Sequence, residues 1–198
     1  MPLTIINGSA YFTLAVPLKD FPQLLRDHLK ENPDTPEVES LGAELVRADF
    51  PADKIAGFVT GVCKWGGHEG IRGRVLNRNT SVEIGDALRK ASASLAKGRL
   101  ADALTQVNEI NSLGDVSFAS KHLRFLRPDI CPTFDSILRG SLPYPFDAQG
   151  YAAFANDCAL LARALAENQI ANPRQRKSGA WFVADVEGAV YIFARRSA

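Results

Sequence analysis

The chain has 198 residues, 46% of them hydrophobic, with 23 basic and 22 acidic side chains and a formal net charge of +1. Length alone allows one domain or two small lobes with a proper buried core, and no run approaches the roughly 18–20 apolar residues of a membrane span. Near-neutrality excludes a polybasic chain, yet residues 1–53 hold four bases against nine acids and residues 64–99 eight bases against three acids. The basic stretch is either a local phosphate-binding face or a set of ordinary solvated helix faces.

Residues 1–9 lack the charged start and long apolar core of a secretory signal, so the cytoplasm is the expected compartment. The apolar run Tyr11–Val16 reads as a strand or a short buried segment ended by Pro17. Phe21, Leu24, Leu25 and Leu29 give Asp20–Lys30 helical spacing, residues 32–36 form a turn with two prolines, and Ser40–Val46 reads as a short helix. Pro51 opens a stronger helix through Ile55, Phe58, Val59 and Val62. That helix runs into Lys64, Trp65 and a segment with four glycines among residues 66–73, with Arg72 inside it and Arg74 just after. Glycines allow close backbone approach, and Trp65 beside Lys64, Arg72 and Arg74 is either a stacking platform for a base or a buried ring at a helix end. Val82–Lys97 and Leu100–Ile110 are helical, separated at Gly98.

The most informative stretch is 101–140. An amphipathic helix carrying Leu104 and Val107 is followed by a turn over residues 111–115. A second helix then has Val116, Ala119, Leu123 and Leu126 on one stripe, with Ser117, Ser120, Lys121 and Arg124 on another face, which places Lys121 off the core. Pro128 ends that helix, and a short connection delivers Asp135 as the N-cap of a third helix through Arg139. Residues 140–146 make a proline-rich loop, and a long helix through Phe154, Cys158, Leu161 and Leu165 starts at Asp147 or Gly150 to pack beneath the hairpin. Residues 172–179 form a basic linker, read as solvated surface or a phosphate clamp. The β-branched and aromatic residues of 180–194, arranged around Glu187 and Gly188, signal a C-terminal β-hairpin that pairs with residues 11–16 or offers a dimer edge.

Helix, Gly-containing turn, helix with a lysine, then proline and an aspartate at a helix start: on Leu113-Gly114-x-Val116, Ala119-Ser120-Lys121 and Pro132-Thr133-Phe134-Asp135 the chain resembles the helix-hairpin-helix DNA glycosylases. It is most similar to small bacterial proteins of the 8-oxoguanine DNA glycosylase (OGG) fold, over residues 50–165. The resemblance implies a mainly α, glycosylase-like helical fold, here one domain over 1–198 with an acidic N-terminal part (1–49), a helix-hairpin-helix core (50–165) and the C-terminal β-hairpin (180–196). It also implies a lysine that attacks the sugar C1′ and an assisting aspartate, for which Lys121 and Asp135 stand. The family hairpin reads Leu-Pro-Gly-hydrophobic-Gly, whereas this chain has one glycine, Gly114, and an acid, Asp115. Alignment on Ala119-Ser120 puts Ser117 at the family's lysine position and Lys121 one turn later on the same face.

The expected activity is therefore excision of an oxidised purine from DNA with AP lyase cleavage, and no cofactor. Lys64, Trp65, Arg72, Arg74, Gly114, Ser117, Ser120, Arg124, Phe125 and Arg139 are the expected substrate or DNA contacts, with Trp65, Phe118 or Phe125 holding a flipped base. One alternative keeps the chemistry but acts on a free nucleotide, modified base or single strand, as in OGG-like proteins encoded beside bacterial antiphage signalling genes. Another makes Lys121 and Asp135 structural in a binding module. The three cysteines lack CxxC spacing, and His28, His68 and His122 lack both a nucleophile motif and metal-ligand spacing. No metal, disulfide framework or membrane partner is expected.

Overall fold

The computed structural model describes residues 3–6, 8–12, 15–176 and 179–197. Among these, a small antiparallel sheet is followed by ten helices. Strands β1 (Thr4–Ile6), β2 (Ser9–Tyr11) and β3 (Ala15–Pro17) lie in that order, with Ile5 opposite Ala10 and Ala10 opposite Val16. Ala10 and Val16 face the core while β1 is exposed. The run over 11–16 is thus divided between two strands, with residues 13 and 14 outside the described residues.

Helices α1 (Phe21–Glu31) and α2 (Thr35–Arg47) each carry a proline in the first turn, where its missing N–H costs nothing. The turn expected over 32–36 is accordingly short, and α2 begins before Ser40. Then come α3 (Ala52–Trp65), α4 (Glu69–Arg78), α5 (Ser81–Leu95), α6 (Leu100–Asn108), α7 (Val116–Leu126), α8 (Ser136–Ser141), α9 (Ala148–Glu167) and α10 (Val183–Ser197). Side-chain caps fix several starts: Asp115 accepts from the Ser117 amide, Asp135 from those of Ile137 and Leu138, and Asp147 from that of Gly150. No helix among the described residues is long and apolar enough to cross a membrane.

The C-terminal β-hairpin is corrected. Residues 183–197 are the helix α10, which packs along α1 and also against α9 and α8. Val183, Val186, Val190 and Ala194 recur at helical intervals and are all buried, so tertiary packing of that stripe overrides the β preference of the individual side chains. Neither strand pairing of this segment with 11–16 nor a C-terminal dimer edge remains, because among the described residues the sheet lies within residues 4–17.

Helix α7 sits at the centre, packed against α6, α2, α3 and α9. Every residue from Phe118 to Leu126 is buried, including Ser120, Lys121, His122 and Arg124. The expectation that Lys121 lies off the core is therefore also corrected: both faces of the helix are covered. Close approach on one side depends on Gly42 of α2, where a Cβ would run into the carbonyl oxygen of Phe125. Buried polar groups need partners. Ser120 Oγ accepts from the Phe134 amide at 2.9 Å, tying α7 to the chain before α8. His122 Nδ1 meets the Phe118 carbonyl at 2.8 Å, and burial pushes its pKa down to about 4, so the ring is neutral at pH 7.

Candidate active site

Another buried polar group of α7, Lys121, opens onto a cavity of about 240 Å³. Its walls come from five elements: His28 on α1, Trp65 and Gly66 at the end of α3, Ser117 and Lys121 on α7, Thr133, Asp135, Ser136 and Ile137 at the entry to α8, and Glu187 and Tyr191 of α10. An amine and two carboxyl groups, Lys121, Asp135 and Glu187, thus share one hollow.

Local sequence accounts for each position. The Lys121 stem lies against Gly66, where a Cβ would stand 3.1 Å from the lysine Cδ, so the first glycine after Trp65 makes room for it. Its Nζ donates to Ser117 Oγ at 2.9 Å, one helical turn earlier, and lies 4.9 Å from the centre of the Phe118 ring. Lys121 is only 6% exposed. Burial lowers its pKa below the ordinary lysine value, against the opposing pull of the Asp135 and Glu187 charges. Asp135 is half-buried, and Oδ1 accepts the Ile137 and Leu138 amides, both at 3.1 Å.

Glu187 was hidden by the hairpin reading. It is 1% exposed, and one oxygen accepts the Thr133 amide at 3.2 Å. Burial pushes its pKa up to about 8; Arg124 pulls it down, and the like charge of Asp135 adds to the rise. The 3–4–4 spacing of Val183, Val186, Val190 and Ala194 is the sequence signal that places Glu187 on a helix. His28, set aside for want of a nucleophile motif, is also at the cavity. Its ring stands edge-on to Tyr191 at 5.9 Å, and burial together with the Arg124 and Arg174 charges lowers its pKa to about 3, leaving it neutral.

Of the residues expected from sequence, Trp65, Ser117, Lys121 and Asp135 line this cavity. Trp65 is held by its indole N–H, which donates to Thr35 Oγ1 at 2.9 Å, and by edge-to-face contact with Phe125. The other expected contacts lie elsewhere. Phe125 is wholly buried behind Trp65 and cannot hold a flipped base, Phe118 is 6% exposed, and Ser120 is committed to Phe134. Arg124 is 1% exposed and pairs with Glu39 at 3.3 Å, its guanidinium 4.4 Å from the Phe125 ring centre, so no phosphate reaches it. Lys64 is exposed and paired with Asp34 at 3.0 Å, and Arg139 lies over Phe146. Arg72 and Arg74 belong to α4, outside the cavity lining. Gly114 supplies a positive φ of 112° to the α6–α7 turn, which is docked on the end of α4 by an Arg78–Ser112 hydrogen bond at 3.1 Å.

Two cations of the basic linker, Arg174 and Arg176, face inward rather than toward solvent or a phosphate. Arg174 grips Glu39 with two bonds of 2.7 and 3.0 Å. Arg176 reaches both Glu39 at 2.8 Å and Asp185 at 2.6 Å. Burial would raise the Glu39 pKa, but hydrogen bonds from Arg176 and Arg174 and the charge of Arg124 outweigh it and hold the group at about 2. Residues 177 and 178 of this linker lie outside the described residues. Among the described residues no cluster of His, Cys, Asp and Glu is arranged to hold a metal ion. Comparison of the chain with protein-family models, with curated proteins and with solved structures returns no match.

Proposed function

We propose that the chain is a DNA N-glycosylase with AP lyase activity on an oxidised purine of the 8-oxoguanine kind, similar in fold and chemistry to the helix-hairpin-helix glycosylases. The observation that carries this reading is the buried Lys121 amine sharing one cavity with the Asp135 carboxylate. A lysine becomes nucleophilic when it sheds its proton, and desolvation moves Lys121 in that direction. The target nucleotide leaves the duplex stack to enter the cavity. As the N-glycosidic bond opens, positive charge develops on the sugar, and the Asp135 carboxylate stabilises it electrostatically. Lys121 attacks C1′, and the resulting iminium allows elimination of the 3′ phosphate.

A second reading is favoured by Asp115. Its carboxylate accepts the Ser117 amide at 3.1 Å and so occupies the positive end of α7, where a helix-hairpin-helix protein would receive a backbone phosphate. That arrangement suits a free nucleotide, a modified base or a single strand better than a duplex, as in an enzyme of a bacterial antiphage signalling system. Borohydride trapping on duplex and single-stranded oligonucleotides carrying 8-oxoguanine or an abasic site tests both readings. A covalent adduct lost in Lys121→Gln is expected, and adduct formation unchanged in that variant removes Lys121 from the mechanism. Salt-sensitive binding with neither adduct nor cleavage would mark a non-catalytic binding module instead.

A further inference from the structure

We propose that Glu187 is the proton-carrying group of the Lys121 site, delivering a proton to the departing oxygen when the Schiff base forms and removing one from the sugar C2′ during elimination. The inference rests on the lyase reading above and adds to it a second carboxyl group with a role distinct from that of Asp135. Glu187 enters the cavity from α10, on the wall formed with Thr133, and its Oε2 is oriented by the Thr133 amide. Next to it, Gly188 lets α10 press against α1: a Cβ there would lie 2.9 Å from His28 Nδ1. Asp135, by contrast, has Oδ1 engaged as the N-cap acceptor of two helix amides, those of Ile137 and Leu138.

The surroundings of Glu187 separate the two roles further. From α7, Arg124 and Lys121 favour its ionised form, and Arg124 is itself engaged by Glu39. From the segment before α8, Asp135 opposes ionisation while the Thr133 amide assists it. Behind it, Tyr151 and Cys158 of α9 are pushed up by burial and stay neutral, as does Tyr191 on its own helix; His28 on α1 is neutral as well. Burial prevails, and with a pKa of about 8 the group holds its proton at neutral pH but can release it.

On an abasic aldehyde the steps balance. The neutral Lys121 amine adds to C1′, and transfer of a proton from nitrogen to oxygen gives the carbinolamine. Glu187 donates its proton to the hydroxyl, the C1′–O bond breaks, water leaves and the iminium forms. The Glu187 carboxylate then takes the C2′ proton. That C–H electron pair becomes the C2′–C3′ double bond, and the C3′–O bond breaks with its electrons going to the departing phosphate. Glu187 ends protonated, as it began, and water hydrolyses the iminium to free Lys121.

The test uses the full chain and an oligonucleotide with a preformed abasic site, followed under single-turnover conditions between about pH 5 and pH 9. Expected for the unaltered protein are a borohydride-trapped adduct and a cleavage rate that falls as the pH rises past about 8. In Glu187→Gln, which keeps the acceptor for the Thr133 amide, cleavage should drop roughly 10²-fold or more and the alkaline fall should vanish. In Glu187→Ala, added acetate should restore cleavage, a response that a purely structural role would not give. Cleavage in Glu187→Gln at the original rate and with the original pH profile overturns the assignment of Glu187 while leaving the lyase reading standing. Absence of any adduct with the unaltered protein overturns the lyase reading, and the proton-carrying role falls with it.

Discussion

Glu187 should set the alkaline limit of stability, independently of any activity. Its folded-state pKa of about 8 stands above the ordinary glutamate value of 4.5. Between these values the folded protein holds a proton that the unfolded chain has released. The contribution to stability is fully present below pH 4.5 and is lost as the pH rises through about 8. At about 1.4 kcal/mol per pH unit, that window corresponds to roughly 5 kcal/mol, and a group 1% exposed has little solvent screening to reduce it. Glu187→Gln has the same shape and no titration. Urea unfolding at about pH 5 should find the two proteins within about 1 kcal/mol of each other, and at about pH 9 the variant should be the more stable by a few kcal/mol. The contributions of His28 and Glu39 are complete by about pH 6.5 and common to both proteins, so they cancel in the difference. A difference that is the same at both pH values would refute the reasoning, since it would mean that Glu187 ionises as freely folded as unfolded.

Glu39 should behave in the opposite sense. Its pKa is depressed from 4.5 to about 2, so its contribution is present above pH 4.5 and lost as the pH falls through about 2. Glu39→Gln should cost about 3–5 kcal/mol at neutral pH by leaving Arg124, Arg174 and Arg176 short of their counter-charge, and should flatten the acid limb of the unfolding curve. Gly42→Ala should destabilise by about 1–3 kcal/mol or more, read as a lowered urea midpoint, because the added carbon meets the Phe125 backbone rather than a movable side chain.

The parts of this structure that local chemistry dictates are legible in the sequence. Pro128 stops α7 and Asp135 starts α8, and those two signals carry Lys121 and Asp135 to the same hollow. What depends on neighbours far along the chain is not legible. Helix α7 has the stripe of a half-exposed helix, yet α2 approaches it across Gly42 and engages Arg124 through Glu39, while Gly66 at the end of α3 lies against the Lys121 stem. The uneven charge distribution is likewise resolved in three dimensions. Three acids of the N-terminal part are answered by C-terminal bases, with Glu31 on Arg195 at 2.6 Å, Asp27 on Arg196 at 2.8 Å, and Glu39 on Arg174 and Arg176, while Asp34, Glu44 and Asp49 pair with Lys64, Lys54 and Arg89. Only pairings across the whole chain reveal that Arg174 and Arg176 turn inward. At the C-terminus two sequence signals compete: composition favours strands and spacing favours a helix. The packing partners of α10 decide for spacing.

The two buried acids of α10 connect these observations. Asp185, in its first turn, is anchored by Arg174 and Arg176 through 3.2 and 2.6 Å contacts, while the helix amides of Val183 and Ala184 donate to the carbonyls of Asp129 and Pro128. The start of α10 is therefore pinned both to the linker and to the segment leading to Asp135. Two residues on, Glu187 is carried into the cavity at a depth it does not itself determine. The guanidinium best placed to neutralise it, Arg124, is occupied by Glu39. The clamp that docks α10 thus also shares Arg124 between Glu39 and Glu187, and the pull of that cation on Glu187 does not outweigh burial. A Gln at 187 would fill the same space without an alkaline penalty. Folding alone gives no reason for an ionisable group at this depth beside a desolvated amine, whereas a reaction that gives up one proton and takes back another requires one.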